Sequence, residues 1–597
     1  MIIGGTEGNP FFIEEILQAL FDEGALMRNG RVKVTRPLSQ FQLPPTVQGI
    51  LASRIDRQPG DHKQLLQTLA VLGRESTLGL IRQVSSLMET QLEQTLADLR
   101  AAEFIYEQPA TAGVEYTFKH ALTQEVAYNS LLSERRRQLH EQAGQAIEIL
   151  FAANLSDSYD DLAHHYERSG NTAKAVKYLH LAAQQSASRG AYAEAVNQLN
   201  QALELLKTQP EEVERDRIEI ALRIDLNLFT KFSGVLGTAA NMENLERAEQ
   251  LCQHVGDDIT RFNILEALTD QYGARRDIQK WQAVGREMLG IAARTLNPEF
   301  EGRARFMLGA SFQWDGSLVA ASEQLELACM LSAGASPIRE SLGWNLPSRA
   351  RLSSAGVLWA LGFPQRAMAR NAEALAIERN MAASPTSMAL TLTWSCPFHL
   401  GYSRDWRIAR AHCDEGLRLA DEHGLVLMVP FFEFFRGWAL VRLGQVEEGF
   451  AELRRGGTIV IHLALFRRIF FWGLTDACIA SGRWREGLEA VEQALEAPGP
   501  AIDPELRRLK GELLLAADQG SVAEATQCFR DALEMARHQR AKTWELRATM
   551  NLARLLAKQG QRNQAHTMLA EIYNWFTEGF DTADLKEAKA LLEELAT

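Results

Sequence analysis

Apolar positions recur at helical spacing through most of the chain. Phe12, Ile16, Leu17 and Leu20 mark a first helix. Pro10 suits its opening turn, where a missing N–H leaves nothing unsatisfied. Residues 27–42 interrupt the pattern and read as a loop or short hairpin, closed by Leu43-Pro44-Pro45-Thr46. Three helical faces follow: Val47, Ile50, Leu51 and Ile55; then Leu65, Leu66, Leu69, Ala70 and Leu72; then Leu92, Leu96 and Leu99. The period then changes to two. Phe104-Ile105-Tyr106 and Tyr116-Thr117-Phe118 read as strands joined by a loop from Pro109 to Gly113, and a helix resumes at His120-Ala121-Leu122. Three helices, a hairpin and a helix predict a winged-helix domain.

From about residue 134 the pattern is helical almost without interruption. Small or polar turn residues alternate with apolar helices, as at Ser169-Gly170-Asn171, Arg189-Gly190 and Leu361-Gly362. Gly444, Gly482, Gly520 and Gly560 lie 38, 38 and 40 residues apart. Such a period predicts a helical solenoid, in which each helix pair buries its apolar face on its neighbours. Residues 211–340 show the period least clearly. The expected fold is therefore mostly α: a winged helix with a small β-hairpin, followed by an α-solenoid superhelix.

Composition narrows the function. The 597 residues carry a net charge of -13, which argues against a dedicated nucleic-acid surface. Six scattered cysteines form no Cys-x-x-Cys pair, which fits a reducing compartment such as the cytoplasm. No apolar run reaches the length of a membrane helix and no secretion signal is visible, so no membrane partner is expected. No Gly-x-x-x-x-Gly-Lys-Ser/Thr loop occurs, nor even the dipeptide Gly-Lys. Gly4-Gly5-x-x-Gly8 is a weak phosphate signal without a preceding strand. Cys396, His399, His412 and Cys413 offer soft ligands for zinc, but their spacing is not that of a finger, and no metal is expected. Arg135-Arg136-Arg137 reads as a solvated helix start. His164-His165 reads as one core and one exposed helix residue. Trp281, Trp406 and Trp484 precede apolar helices near repeat turns; such aromatics fill gaps between helices or anchor a partner in the groove. There is no zinc helix, nucleophile elbow or carboxylate pair, and no catalytic residue is assigned.

Several motifs in order resemble one family. They are Thr6-Glu7-Gly8-Asn9-Pro10-Phe11-Phe12 with Glu14-Glu15, Leu43-Pro44-Pro45-Thr46-Val47-Gln48, Arg54-Ile55-Asp56-Arg57, and the run from Tyr116 through His120 to Tyr128. Leu162-Ala163-His164-His165-Tyr166 follows, then Trp575-Phe576-Thr577-Glu578-Gly579-Phe580-Asp581-Thr582 and Asp584-Leu585-Lys586-Glu587-Ala588-Lys589. These resemble bacterial signal-transduction ATPases of the STAND type, whose repeat arms are often fused to class III adenylate/guanylate cyclase or Ser/Thr kinase domains.

The resemblance implies three parts: 1–42, a remnant of the helical lid of a nucleotide-binding domain; 43–133, the winged helix; and 134–597, a tetratricopeptide-like helical repeat superhelix. It implies that Gly8, Asn9 and Pro10 form the turn that packs beside adenine, and that His120 senses the β-phosphate of ADP. An imidazole and a helix N-terminus both favour an anion, so the chemistry is consistent. Without a phosphate loop, no nucleotide is expected in the isolated chain, and ATP or ADP would bind only with a partner core. The expected role is a regulatory sensor arm that binds a protein, peptide or small inducer and acts on a separate or lost ATPase core, which gates an effector such as a nucleotide cyclase. The alternative is a stand-alone protein-binding scaffold. A transcription regulator is disfavoured by the acidic end Leu591-Leu592-Glu593-Glu594-Leu595.

Overall fold

The computed structural model describes residues 10–22, 24–29, 31–35, 46–110, 113–232, 238–332, 345–380, 385–461, 464–496, 499–517 and 521–596. The chain divides into two units, one of residues 1–185 with 200–210 and one of 186–199 with 211–597. Gly520, one of the four spaced glycines, and residues 43–45 lie outside the described residues.

In the first unit, α1 (Pro10–Asp22) precedes an antiparallel pair, β1 (Leu26–Asn29) and β2 (Arg31–Val34), with Leu26 opposite Val34. The hairpin alternative for 27–42 is the one realised over these strands. Ile16, Ala19, Leu20, Ala25 and Leu26 close a small core with Ile50. Then come α2 (Val47–Asp56), α3 (Gly60–Leu72), β3 (Glu75–Thr77), α4 (Leu78–Val84), α5 (Glu89–Ala101), β4 (Ile105–Ala110), β5 (Gly113–Phe118) and α6 (Ala121–Asn129). Thr46 caps α2 through its hydroxyl, which accepts from the Gly49 N–H at 3.1 Å. The second and third apolar faces expected here meet Ile55 of the first in one core, with Leu66 and Leu99 fully buried, while Ile50 of the first turns to the core under α1.

The sheet has strand order β3-β5-β4, with Ile105 opposite Phe118. β3 has no counterpart in the hydrophobic pattern, because three residues are too few to show a period. β4 and β5 extend further than the pattern indicates, reaching Ala110 and Gly113. Pro109 sits in β4, an edge strand, where a missing ladder donor is tolerated. The unit continues with α7 (Ser133–Leu150), α8 (Tyr159–Ser169) and α9 (Thr172–Ser188), and the dividing line between units runs through α9 and α10 (Tyr192–Leu206).

The second unit is a ladder of helix pairs. It contains α11 (Val213–Phe232), α12 (Ala239–Val255), α13 (Asp258–Arg275), α14 (Ile278–Thr295), α15 (Pro298–Asp315), α16 (Leu318–Leu331), α17 (Leu346–Leu361), α18 (Pro364–Asn380), α19 (Pro385–Pro397) and α20 (Trp406–Glu422). It ends with α21 (Val429–Arg442), α22 (Val446–Val460), α23 (Ala464–Ser481), α24 (Trp484–Glu496), α25 (Asp503–Ala517), α26 (Val522–His538), α27 (Lys542–Lys558), α28 (Arg562–Tyr573) and α29 (Ala583–Ala596). Each odd-numbered helix packs on the next odd-numbered helix as well as on its chain neighbours. The odd helices thus form one continuous layer, and the even helices cover it.

Among the described residues, most turns inside the pairs are left-handed. Gly362, Gly444, Gly482 and Gly560 hold φ of 93°, 92°, 74° and 81° there. Earlier in the unit Arg276 takes the same place with φ 57°, and so does Gly316 with φ 78°. The repeat therefore runs through the described helices α11–α16, and the missing glycine at 276 is one reason the period is faint there.

Candidate functional site

Gly8 and Asn9 lie outside the described residues, and Pro10 opens α1. His120 caps the start of α6 in extended conformation (φ -136°, ψ 138°), directly after β5, and is half-buried. α1 is tied to this strand-to-helix junction by the neighbouring residue. Lys119 Nζ donates to Glu14 of α1 and, at 2.6 Å, to Glu103. Burial alone would lower the Lys119 pKa, but the two carboxylates more than offset it and raise it. A second tie is deeper. Arg54 of α2 is 2% exposed, donates to Glu15 of α1 and to the Ala102 carbonyl at 3.0 Å, and lies over the Phe104 ring at 4.7 Å. Helix α1 and the His120 junction thus share one set of ion pairs.

A second polar cluster joins α6, α7 and α8. Arg168 Nη1 lies 3.1 Å from the Tyr128 hydroxyl and can only donate. The Tyr128 proton therefore goes to His140 Nε2 at 3.0 Å, and His140 Nδ1–H goes to His165 Nδ1 at 2.9 Å. Both imidazoles are buried, whereas His164 is exposed. Burial, reinforced by neighbouring positive groups, lowers the pKa of His140 to about 3 and that of His165 to about 4. The sequence marked His164-His165 but gave no sign of Tyr128 or His140 as partners.

In the second unit the odd-helix layer folds back on itself. α13 packs on α23, and α17 packs on α27. Tyr402 meets Trp472 and Trp544 at ring-centroid distances of 5.6 and 5.4 Å, and Trp438 meets Trp472 at 5.7 Å. The tryptophans that reach this interior are thus Trp438, Trp472 and Trp544, not the three flagged near repeat turns. Of those, Trp281 fills the space over Gly273, and Trp406 lies under Arg442 at 4.2 Å. Pro397 lacks an N–H, and the helix widens after it into a π turn over Phe398–Tyr402. That turn presents carbonyls to Arg547, whose Nη1 donates to Gly401 O at 2.9 Å and Nη2 to Tyr402 O at 2.6 Å.

The four soft ligands weighed for zinc are placed as two separate contacts. Cys396 and Cys413 lie buried with sulfurs 3.4 Å apart, and His399, whose Nε2 faces the Asn371 side-chain oxygen at 3.2 Å, meets His412 edge to face with ring centroids 5.3 Å apart. Among the described residues no group of three His, Cys, Asp or Glu is arranged to hold a metal, and no helix is long and apolar enough to cross a membrane. Of the Arg135-Arg136-Arg137 run, Arg136 is engaged: it donates to the Tyr128 carbonyl at 3.1 Å and lies over the Tyr128 ring at 4.4 Å.

No family model matches the chain. It is 30% identical over 201 residues to an uncharacterised protein of Rhizobium meliloti (strain 1021). That match covers 33% of this chain and only 19% of the Rhizobium protein's length. Among solved structures, the STAND protein with a tetratricopeptide repeat sensor from Pyrococcus horikoshii is 11% identical, with a TM-score of 0.38 over 99% of this chain and 70% of its own. A Rap protein complexed with competence and sporulation factor is 13% identical, with a TM-score of 0.42 over 64% of this chain and 100% of its own. Yeast Tom70 is 13% identical, with a TM-score of 0.29 over 77% of this chain and 93% of its own. These likenesses are loose, and no function is transferred from them.

Proposed function

We propose that this chain is the sensor and protein-interaction arm of a STAND-type switch. The observation that carries the reading is the ladder of helix pairs, because such arrays present extended surfaces built for partners. The finer assignment rests on the motif resemblance. In it, residues 43–133 act as a winged helix, α1 is the end of a nucleotide-domain lid, and His120 reports the phosphates of ADP held by a core with a phosphate loop. The ties from Lys119 and Arg54 to α1 support this, since they give a route from a nucleotide at Pro10 and His120 into the three-helix unit. A protein, peptide or small inducer bound by the helix ladder would favour one nucleotide state of the core, and through it an effector such as a nucleotide cyclase. The proposed setting is the cytoplasm.

The test is calorimetry with ADP. The full chain alone is expected to give no binding in the micromolar range. Addition of a phosphate-loop ATPase polypeptide that co-purifies with it is expected to create binding, weakened at least tenfold by His120→Ala. Micromolar binding by the chain alone would overturn the account of a missing core. Binding indifferent to His120→Ala would remove the sensor role and leave the stand-alone scaffold.

A further inference from the structure

The ladder carries a contact that an open solenoid lacks. Its final pairs rest on its middle ones, along a seam between residues 359–366 with 401–404 and residues 542–587. Thr543 donates its hydroxyl proton to the Trp359 carbonyl. Arg547 reaches the Gly401 and Tyr402 carbonyls while held from behind by Asp584 at 2.8 Å and Glu505 at 3.1 Å. Arg404 Nη2 donates to Glu587 at 2.7 Å. At the rim, Glu578 accepts from the Arg366 backbone N–H at 3.1 Å, and Trp575 packs on Phe363 with centroids 5.8 Å apart. A Cβ on Gly362 would strike the Trp575 ring, and one on Gly579 would strike Pro364, so the two sides meet in close contact.

The seam shares the ladder's apolar core through Leu361, Leu400 and Trp544, and adds to it a dense set of ions and carbonyl hydrogen bonds. Neighbouring pairs are joined largely by aliphatic and aromatic burial, which is lost when they part. Much of the seam consists of ions and hydrogen bonds to carbonyls, and water can replace these when the sides separate. Away from the seam, the described residues of the two sides are joined through the intervening helices, of which α23 also rests on α13. Small rotations summed over many pairs can therefore part them with every pair intact.

We propose that the seam is a gate: α17–α20 and α27–α29 are two jaws, and their parting controls entry of a partner to the inner, odd-helix layer. This rests on the reading of the ladder as the partner-binding arm. The closed jaws bury Trp544 against the half-buried Tyr402, so a ligand that binds the inner layer there must bind the open form. Its apparent affinity is then reduced by the fraction of molecules that are open.

Native-state hydrogen exchange on the full chain in low urea tests the gate without any ligand. Seam amides at 358–363 and 543–551 are expected to exchange through an opening with a much smaller urea dependence than amides of α21 and α22. The rim variant Trp575→Ala with Glu578→Gln is expected to speed seam exchange at least tenfold and leave α21 and α22 unchanged. Arg547→Lys, which keeps the charge but loses the paired carbonyl contacts, is expected to do the same. A seam urea dependence equal to that of α21 and α22 would show that it opens only with the whole unit and would overturn the gate. So would a uniform rise in exchange across α13–α29 in the rim variant. A gate that passes while no partner binds would count against the arm reading alone.

Discussion

His140 and His165 are held neutral by burial, so acid acts on them through folding. Their pKa values are about 3 and about 4 in the folded chain, against about 6.5 when unfolded. Both contributions are complete above pH 6.5. Below it the unfolded chain takes up protons that the folded chain refuses, so stability falls from pH 6.5 down toward 4. Each imidazole contributes a slope of up to about 1.4 kcal/mol per pH unit in that window. The expected outcome is that amides of α7 and α8 lose exchange protection, after correction for intrinsic rates, between pH 7 and pH 5. His140→Leu should remove about one proton's worth of that slope. An unchanged slope in His140→Leu would assign the acid response elsewhere. The paired residues were half legible: helical spacing placed one of His164 and His165 in the core and the other outside without saying which, and the structure buries His165. Tyr128 and His140 were not legible as partners, because nothing local in sequence joins them to residue 165.

Among the elements, α21 and α22 approach most intimately through their glycines. A Cβ on Gly437 would meet the Leu453 backbone nitrogen and, at 2.5 Å, the Gly449 carbonyl oxygen; one on Gly449 would meet the Gly437 carbonyl oxygen at 2.7 Å. Gly290 in α14 is the opposite case, exposed, with only the end of Arg294 within 3.8 Å of an added Cβ. Alanine is the better helix former at both positions by roughly 1 kcal/mol. Gly290→Ala is therefore expected to stabilise by roughly 0.5–1 kcal/mol. Gly437→Ala is expected to destabilise by about 1–3 kcal/mol, because backbone atoms cannot yield as side chains do. Urea unfolding followed by tryptophan fluorescence reads both, since the first tryptophan is Trp281. Equal signs for the two substitutions would refute this account of the packing. The elements themselves were largely legible, because amphipathic helices declare their faces locally. The regular turn glycines announced the late pairs. Arg276 hid an earlier one, since a left-handed residue other than glycine carries no compositional mark.

At the scale of the whole molecule, sequence reasoning was blind to the seam. Thr543 and Trp359 are 184 residues apart, and Arg547 and Gly401 are 146 apart. No periodicity spans such distances. The motif at 575–589 drew notice only by resemblance, yet it supplies Trp575, Glu578, Asp584 and Glu587 to the contact.

That contact also changes how the array should come apart. An open stack of repeats interacts only with neighbours and can fray from an end, one pair at a time. Here the last pairs are buttressed by the middle ones, so the loss of α29 also withdraws support from residues 401–404. Folding must close loops of well over a hundred residues before these contacts return anything, which slows the final step. Stepwise C-terminal truncation is therefore expected to weaken α17 as strongly as it weakens the helices beside the cut. Limited proteolysis that trims the end and leaves the exchange of α17 untouched would show that the array frays like an open one.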